Sequence, residues 1–387
     1  MSEDESASLA EIARLFLRLG FTAFGGPAAH IAMMYDEVVV RRRWLDEQHF
    51  LDLLGATNLI PGPNSTEMAI HVGYERGRWR GLLVAGLSFI LPAAFIVGIL
   101  AWAYVRYGDT PTGDALLYGI KPVIIAVVLQ ALLRLGRTAV RSWLMAALAV
   151  VVFLLFLLRV DELLLLAGGG ILYLVLTQAR SSGSALFALL PAVVGNAPFP
   201  AGVAVAVLQA AQSISLERLF LVFLKVGGLL YGSGYVLLAF LRNDLVLQLG
   251  WLTDQQLLDA VAIGQFTPGP VFTTATFVGY VLGGLPGAVV ATLGIFLPSF
   301  IFVALIHRIV PAIRRSSRAG ALLDGVNVAA IGLMAGVLVQ LGEAAIVDLP
   351  TLLLAVAAML VLWRFQLNSA WLVIAGAMIG LLVGLGG

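Results

Sequence analysis

The sequence predicts an all-α polytopic membrane protein. It is built as two inverted-topology repeats, each with a re-entrant helical hairpin tipped by Pro-Gly-Pro and about five further membrane helices. Three observations lead there. The composition is that of a chain dissolved in lipid, one half of the sequence is repeated in the other, and the basic loops change sides between the copies.

The 387 residues are 60% hydrophobic and 12% charged, with a mean hydropathy of +1.00. Soluble domains carry about 25% charged residues, and surface area falls too slowly with size for a soluble fold to hide this much apolar surface. A span takes roughly 20 predominantly apolar residues. Leu82–Ala103 and Leu116–Leu133 qualify, as do Ile295–Ile306 and Leu352–Leu362 with their apolar flanks. The opening stretch Met1 to Glu11 is short and acidic and lacks a basic n-region, so the first apolar segment is expected to be a retained helix. Cysteine is absent, which excludes disulfides and thiolate chemistry.

The repeat runs at an offset of 207 residues. Phe16-Leu17-Arg18-Leu19-Gly20 matches Phe223-Leu224-Lys225-Val226-Gly227, and Trp44-Leu45 matches Trp251-Leu252. Asp52 matches Asp259, Asn58 matches Gln265, and Pro61-Gly62-Pro63 matches Pro268-Gly269-Pro270. One residue is then lost, so Gly73 pairs with Gly279 and Lys121 with Asn327 at an offset of 206. Similarity among apolar helices does not explain two Pro-Gly-Pro tripeptides that each follow the tryptophan of a Trp-Leu pair by 17 residues. The expected division is residues 9–180, a linker or interfacial segment at 181–215, and residues 216–387.

Arginine placement orients the copies. Cytoplasmic loops are rich in Lys and Arg. The first hairpin is flanked by Arg41-Arg42-Arg43 and by Arg76, Arg78 and Arg80; the second by Arg242 alone. The following loop reverses this, with Arg106 in the first copy against Arg308, Arg314, Arg315 and Arg318 in the second. One inverted arrangement places sixteen arginines inside and three outside.

Between Trp44 and Arg76 lie about 30 residues, fewer than the roughly 40 that two spans need. A re-entrant hairpin fits: a helix down to Ile60, a turn at Pro61–Asn64 and a helix back. The second copy reads Thr253–Phe266, a turn at Thr267–Pro270, and Val271–Leu282. Proline stops a helix and is tolerated at the start of the next. Broken backbone at membrane depth must be buried or line a cavity, and helix N-termini attract anions. Ser65 and Thr66, with Thr273 and Thr274, would add hydroxyl donors; Asn58 and Gln265 would add amides. Arg18 and Lys225 each precede a glycine break (Gly25-Gly26 and Gly232) and are candidate cations for a dianion, with Lys121 a third. The opposing reading of these cations is snorkelling to the interface. Asp52 and Asp259 are expected to pair with Arg18 and Lys225 or to relay protons. Glu67 follows Asn64 at capping-box spacing and is equally a proton-coupling candidate, with His71 one turn on. No P-loop and no metal-ligand cluster occurs in the sequence. An enzyme is therefore not expected, and neither a cofactor nor a metal is expected.

Gly25-Gly26, Val39, Trp44 and Pro61-Gly62-Pro63 resemble the N-terminal signature of the chromate ion transporter (CHR) family, and the similarity extends from about Leu9 to Gly387 in the long two-domain form. The second copy departs from it, with Gly232-Ser233-Gly234 in place of the paired glycines. The resemblance implies proton-motive-force-driven export of chromate across a cell inner membrane, giving chromate resistance, with sulfate as an alternative cargo. It implies as partners the bilayer and a chromate or sulfate-like oxyanion, with a homodimer as the candidate assembly and no nucleic acid.

Overall fold

The computed structural model describes residues 8–24, 26–57, 60–108, 110–181, 214–230, 237–306, 317–365 and 369–386. Gly25, Asn58, Gly232-Ser233-Gly234, the arginines at 308, 314 and 315, and the expected interfacial stretch Ser184–Gln212 lie outside the described residues.

Among the described residues the chain is helical throughout, without a strand. The first half contains α1 (Leu9–Thr22), α2 (Gly26–Tyr35), α3 (Glu47–Thr57), α4 (Asn64–Tyr107), α5 (Pro111–Ala139), α6 (Trp143–Leu157) and α7 (Glu162–Ser181). The second contains α8 (Leu216–Leu229), α9 (Leu237–Leu241), α10 (Asp254–Phe266), α11 (Thr274–Ile306), α12 (Ser317–Ala345), α13 (Leu349–Phe365) and α14 (Ser369–Gly386). Four helical stretches are long and apolar enough to cross a membrane: Asn64–Tyr107, Pro111–Ala139, Val271–Leu305 and Gly320–Ala345. Shorter apolar helices at 143–157, 162–178, 349–365 and 369–383 accompany them.

Local chemistry starts these helices in the same way in both halves. Ser8 and Ser215 cap α1 and α8 by accepting from the amides of Glu11 and Arg218, each at 3.2 Å. Asp46 accepts from His49 N before α3, and Thr253 closes a capping box with Gln256 before α10. A free side-chain oxygen at the cap satisfies one of the first turn's orphan amides.

Both halves also break their chain at matching points. α2 widens into a π-helical stretch at Asp36–Arg41, and Arg242–Gln248 does the same after α9. The long helices α4 and α11 are each two helices joined at a sharp turn. The turns lie at Gly77-Arg78 (Arg78 φ 51°, ψ −141°) and Gly283-Gly284 (Gly284 φ 60°, ψ −153°). A side chain on Gly73 would overlap the Gly81 carbonyl, and one on Gly279 the Gly287 carbonyl, so each arm folds tightly onto its own span. The expected helix–tripeptide–helix order is present. The described part of the first arm is Glu47–Thr57, and Ile60, where the arm is expected to end, lies in a bend; a 3₁₀ turn at Val271–Thr273 precedes α11.

Packing exchanges partners between halves. α1 lies on α4, and α8 on α11. Gly20 sits against the Phe89 carbonyl and Gly227 against that of Ile295. α5 packs on α13 and α14 of the other half, and α12 packs on α6 and α7. Glycines carry these crossings: Gly119 meets Gly376 and Gly380, and Gly169 meets Gly325. Lipid supplies no hydrophobic drive between helices, so close backbone approach through small residues takes its place. α4 and α11 meet at the centre. Leu82 clusters with Val303, Gly86 faces the Phe300 ring, and Trp102 at the far end shares a groove with Leu285. The two spans therefore run antiparallel.

Arg78 occupies a backbone region that glycine fills at the matching turn. Such strain costs of order 1–3 kcal/mol for a residue with a side chain. Arg78→Gly is expected to raise the thermal unfolding midpoint in detergent, and Gly284→Arg to lower it.

Candidate functional site

The Pro-Gly-Pro tripeptides are held by reciprocal contacts. Gly62 N donates to the Leu230 carbonyl at 2.8 Å, and Gly269 N donates to the Ala23 carbonyl at 2.9 Å. Ala23 and Leu230 are the residues that close α1 and α8, so each tip is fastened to the first helix of the opposite half. Both glycines have positive φ, 135° at Gly62 and 86° at Gly269. A Cβ on Gly62 would run into Glu67 Oε1 and lie 2.8 Å from Ser299 Oγ; one on Gly269 would lie 2.7 Å from Ala93 Cβ. Flanking prolines fix φ and offer no competing amide, which leaves the glycine amide as the tripeptide's donor.

The two tips differ in polarity. On the first, Pro61, Gly62 and Pro63 lead into α4, where Asn64 is the first helical residue and Ser65, Thr66, Glu67 and His71 are buried. Because Pro63 is the N-cap and Asn64 the first helical residue, Glu67 lies in the first turn one place beyond the capping-box position and does not form the box its spacing predicts. Glu67 is fully buried, and Ser299 Oγ stands beside its carboxylate, with no charged partner for Glu67 among the described residues. Thr66 Oγ1 has no hydrogen bond. On the second tip, Pro268, Gly269 and Pro270 lead into the 3₁₀ turn. Thr273 and Thr274 are buried, but their hydroxyls donate to the carbonyls of Pro270 and Val271, each at 2.8 Å. They are committed to the turn and are not the free donors the sequence reading expects. Gln265 is half-buried near Leu238 and Thr274.

The predicted cations have acidic partners that the sequence reading missed. Arg18 pairs with Glu37 at 2.6 Å, and Lys225 with both oxygens of Asp244 at 2.8 Å. Glu37 and Asp244 hold equivalent places in the two π-helical stretches, 207 residues apart. Arg41 and Arg42 also reach Glu37, each at 3.3 Å. The Arg18 side chain is 49% exposed and that of Lys225 39%, so neither is buried as Lys121 is. The signal that locates their partners is the position of the acids in the repeat: Glu37 precedes Trp44, and Asp244 precedes Trp251, by seven residues.

Lys121 is the one buried lysine or arginine among the described residues. Its Nζ lies 3.2 Å from Asp259 Oδ1, and Tyr104 Oη donates to Asp259 Oδ2 at 2.8 Å. Asp259 thus pairs with Lys121 and not, as its spacing predicts, with Lys225. Its repeat mate Asp52 is half-exposed and accepts from Gln48 at 3.3 Å. Gly26 opens α2 with φ 78° and takes no part in the tips' hydrogen bonds. Among the described residues no group of acids and histidines is arranged to hold a metal ion.

A duplicated all-helical bundle, with paired broken helices and charges buried among apolar spans, defines a multi-pass membrane protein of the transporter class. The chromate transporter family model matches residues 10–174 and again 217–381. The chain is a member of that family in its long two-domain form. It is similar to the "Chromate transport protein" of Pseudomonas aeruginosa, at 34% identity over 95% of this chain and 91% of that one. It is also similar to the "Chromate transport protein" of Cupriavidus metallidurans, at 32% identity over 97% and 93%. No solved structure matches it.

Because both tripeptide glycines need positive φ and have no room for a Cβ, Gly62→Ala and Gly269→Ala are each expected to lower the thermal midpoint in detergent. The left-handed backbone alone costs about 1–2 kcal/mol. The same substitution at Gly98, which faces open space, is expected to leave the midpoint within about 0.5 kcal/mol of wild type.

Proposed function

We propose that this protein is a secondary transporter that exports chromate across the cell inner membrane, is coupled to the proton motive force, and confers chromate resistance. The observation that carries the reading is the reciprocal fastening of two broken-helix tips across the halves, with the fully buried carboxyl of Glu67 directly behind one of them. Helix breaks paired across a repeat are the usual construction of an alternating-access site. The names of the relatives supply the cargo.

In this reading the halves, 9–180 and 216–387, are inverted repeats. The reversed arginine bias and the antiparallel run of α4 and α11 support it. Alternating access then rocks each hairpin, α3 with the first arm of α4 and α10 with the first arm of α11, against the opposite half. A tetrahedral oxyanion sits between the tips, near Pro61–Thr66 and Pro268–Thr274. Arg18 and Lys225, already neutralised by Glu37 and Asp244, guide the anion at the edge. The buried acids Glu67 and Asp259 are the proton-coupling groups, with His71 beside Glu67; half-exposed Asp52 is the weaker candidate.

Energetics favour the outward direction. With a negative interior, moving two negative charges out gains about 4.6 kcal/mol per 100 mV, twice the roughly 2.3 kcal/mol per charge.

Uptake of labelled chromate into inverted membrane vesicles tests this. Uptake above empty vesicles, reduced by an uncoupler and little affected by equimolar sulfate, is expected. No uptake overturns the reading, and equal inhibition by sulfate reassigns the cargo to dianions generally. Glu67→Gln is expected to insert normally and to lose the part of the uptake that depends on a pH gradient.

A further inference from the structure

The contact between Lys121, Asp259 and Tyr104 joins three elements: α5 and α4 of the first half and α10, the hairpin arm, of the second. It is a buried ion pair, 3.2 Å long, with Lys121 7% and Asp259 1% exposed. Such a pair is a poor source of stability, since desolvation offsets its attraction and apolar replacements are often as stable or more so. A lysine or arginine in a membrane interior is costly and marks a pathway by default. The sequence repeat sharpens the point. The counterpart of Lys121 is Asn327 and that of Asp259 is Asp52, so the second copy of this contact has no cation. Symmetry does not require the pair.

A cavity adjoins the pair through Tyr104. Its volume is about 340 Å³, and it opens between the same helices, lined on one side by Leu117, Ile120 and Tyr104 and on the other by Ala262, Ile263 and Phe266. Ile120 adjoins Lys121 in sequence, and Ala262 and Ile263 lie one turn beyond Asp259 on its own face. Tyr104 is shared between the cavity wall and the ion pair, while Lys121 and Asp259 themselves are buried behind that apolar wall.

We propose that Lys121, Asp259 and Tyr104 form a charge-exchange site, in which a tetrahedral dianion replaces Asp259 as the counter-ion of Lys121 when Asp259 takes up a proton. This rests on the transport reading above and assigns its cation and one of its proton sites. The proton enters on Asp259 Oδ1, which faces Lys121 and has no hydrogen bond besides the ion pair. Lys121 stays an ammonium throughout. Neutral Asp259 releases it to the anion, and Tyr104 stays hydrogen-bonded to Oδ2. When the anion leaves, the proton leaves and the pair closes again, so each dianion carries one proton with it and a net charge of minus one moves outward down the membrane potential, with half the gain of the bare dianion. Because Asp259 stands on a hairpin arm and Lys121 on a span of the other half, opening and closing the pair is coupled to movement of that arm.

The groups that act on Asp259 are few. Lys121 and Asp114 face it from α5 and Tyr104 from α4. α9, α11 and α14 contribute no acidic or basic side chain. The charges of α12, Arg318, Asp324 and Glu343, lie toward its two ends, and Arg242 and Asp244 are taken by Asp254 and Lys225.

Chromate binding to the purified full-length chain in detergent, measured on both sides of neutral pH, and flux in vesicles test the proposal together. The wild type is expected to bind chromate more weakly as pH rises. Asp259→Asn should bind at all pH values with the wild type's low-pH affinity, while Lys121→Gln weakens binding about tenfold or more, the worth of a charge-assisted contact. Tyr104→Phe removes a donor to the ionised carboxylate and should move the binding profile to higher pH. Lys121→Met/Asp259→Leu, which removes both charges, should insert and melt like wild type yet carry no chromate. If this double variant transports as the wild type does, or Asp259→Asn keeps the wild-type pH dependence, the exchange site is wrong while the transport reading stands. A wild type that binds chromate with this pH dependence but shows no flux overturns the transport reading and leaves the site.

Discussion

Two backbone hydrogen bonds hold the architecture together. Gly62 N to Leu230 O and Gly269 N to Ala23 O tie the break in each half to the end of the first helix of the other. In a medium without water a stray amide or carbonyl costs several kcal/mol. A chain that interrupts its helices twice at such points must find partners for the groups it frees. Each half supplies the carbonyl the other lacks. Neither helix break is satisfied within its own half, which gives a physical reason for two copies in one chain.

Much follows from this constraint. Proline on both sides of each glycine breaks the helix and leaves one amide to be satisfied. Positive φ and the absence of room for a Cβ restrict the central residue to glycine. The close approach of Gly20 to the Phe89 carbonyl and of Gly227 to that of Ile295 brings the ends of α1 and α8 within reach of the tips. Because α5 and α12 also pack on helices of the opposite half, the halves are interlocked and are not two bundles in contact. Against this shared frame the differences stand out: Glu67 and Ser299 at one tip but Ala93 at the other, and a buried cation at Lys121 where its counterpart is Asn327. Symmetry builds the scaffold, and asymmetric substitution builds the chemistry.

The sequence made the fold class, the duplication and the tripeptide breaks legible, since these rest on composition, on a constant offset and on proline and glycine, whose effects are local. It singled out Glu67, Lys121 and Asp259 because charge in an apolar run is conspicuous. For Asp259 it offers a pairing with Lys225 or a proton relay, whereas the cation beside it is Lys121, 138 residues away, brought close by the exchange of helices between halves. Glu37 and Asp244 went unnoticed because π-helical stretches leave no periodic signature and shift which face a residue presents. Thr273 and Thr274 look like donors in sequence, but a hydroxyl one turn past a proline has its own backbone as the nearest acceptor.

The central claim is that the tips are fastened across the halves. Amide hydrogen exchange of the detergent-purified chain, read at Gly62 and Gly269, tests it directly. Both amides are expected to be strongly protected and to lose protection together when either Ala23 or Leu230 is replaced by proline, which dislodges the helix end that accepts the bond. Exchange of either glycine at the rate of an open loop, or loss of protection confined to the tip that faces the altered helix, would contradict the account.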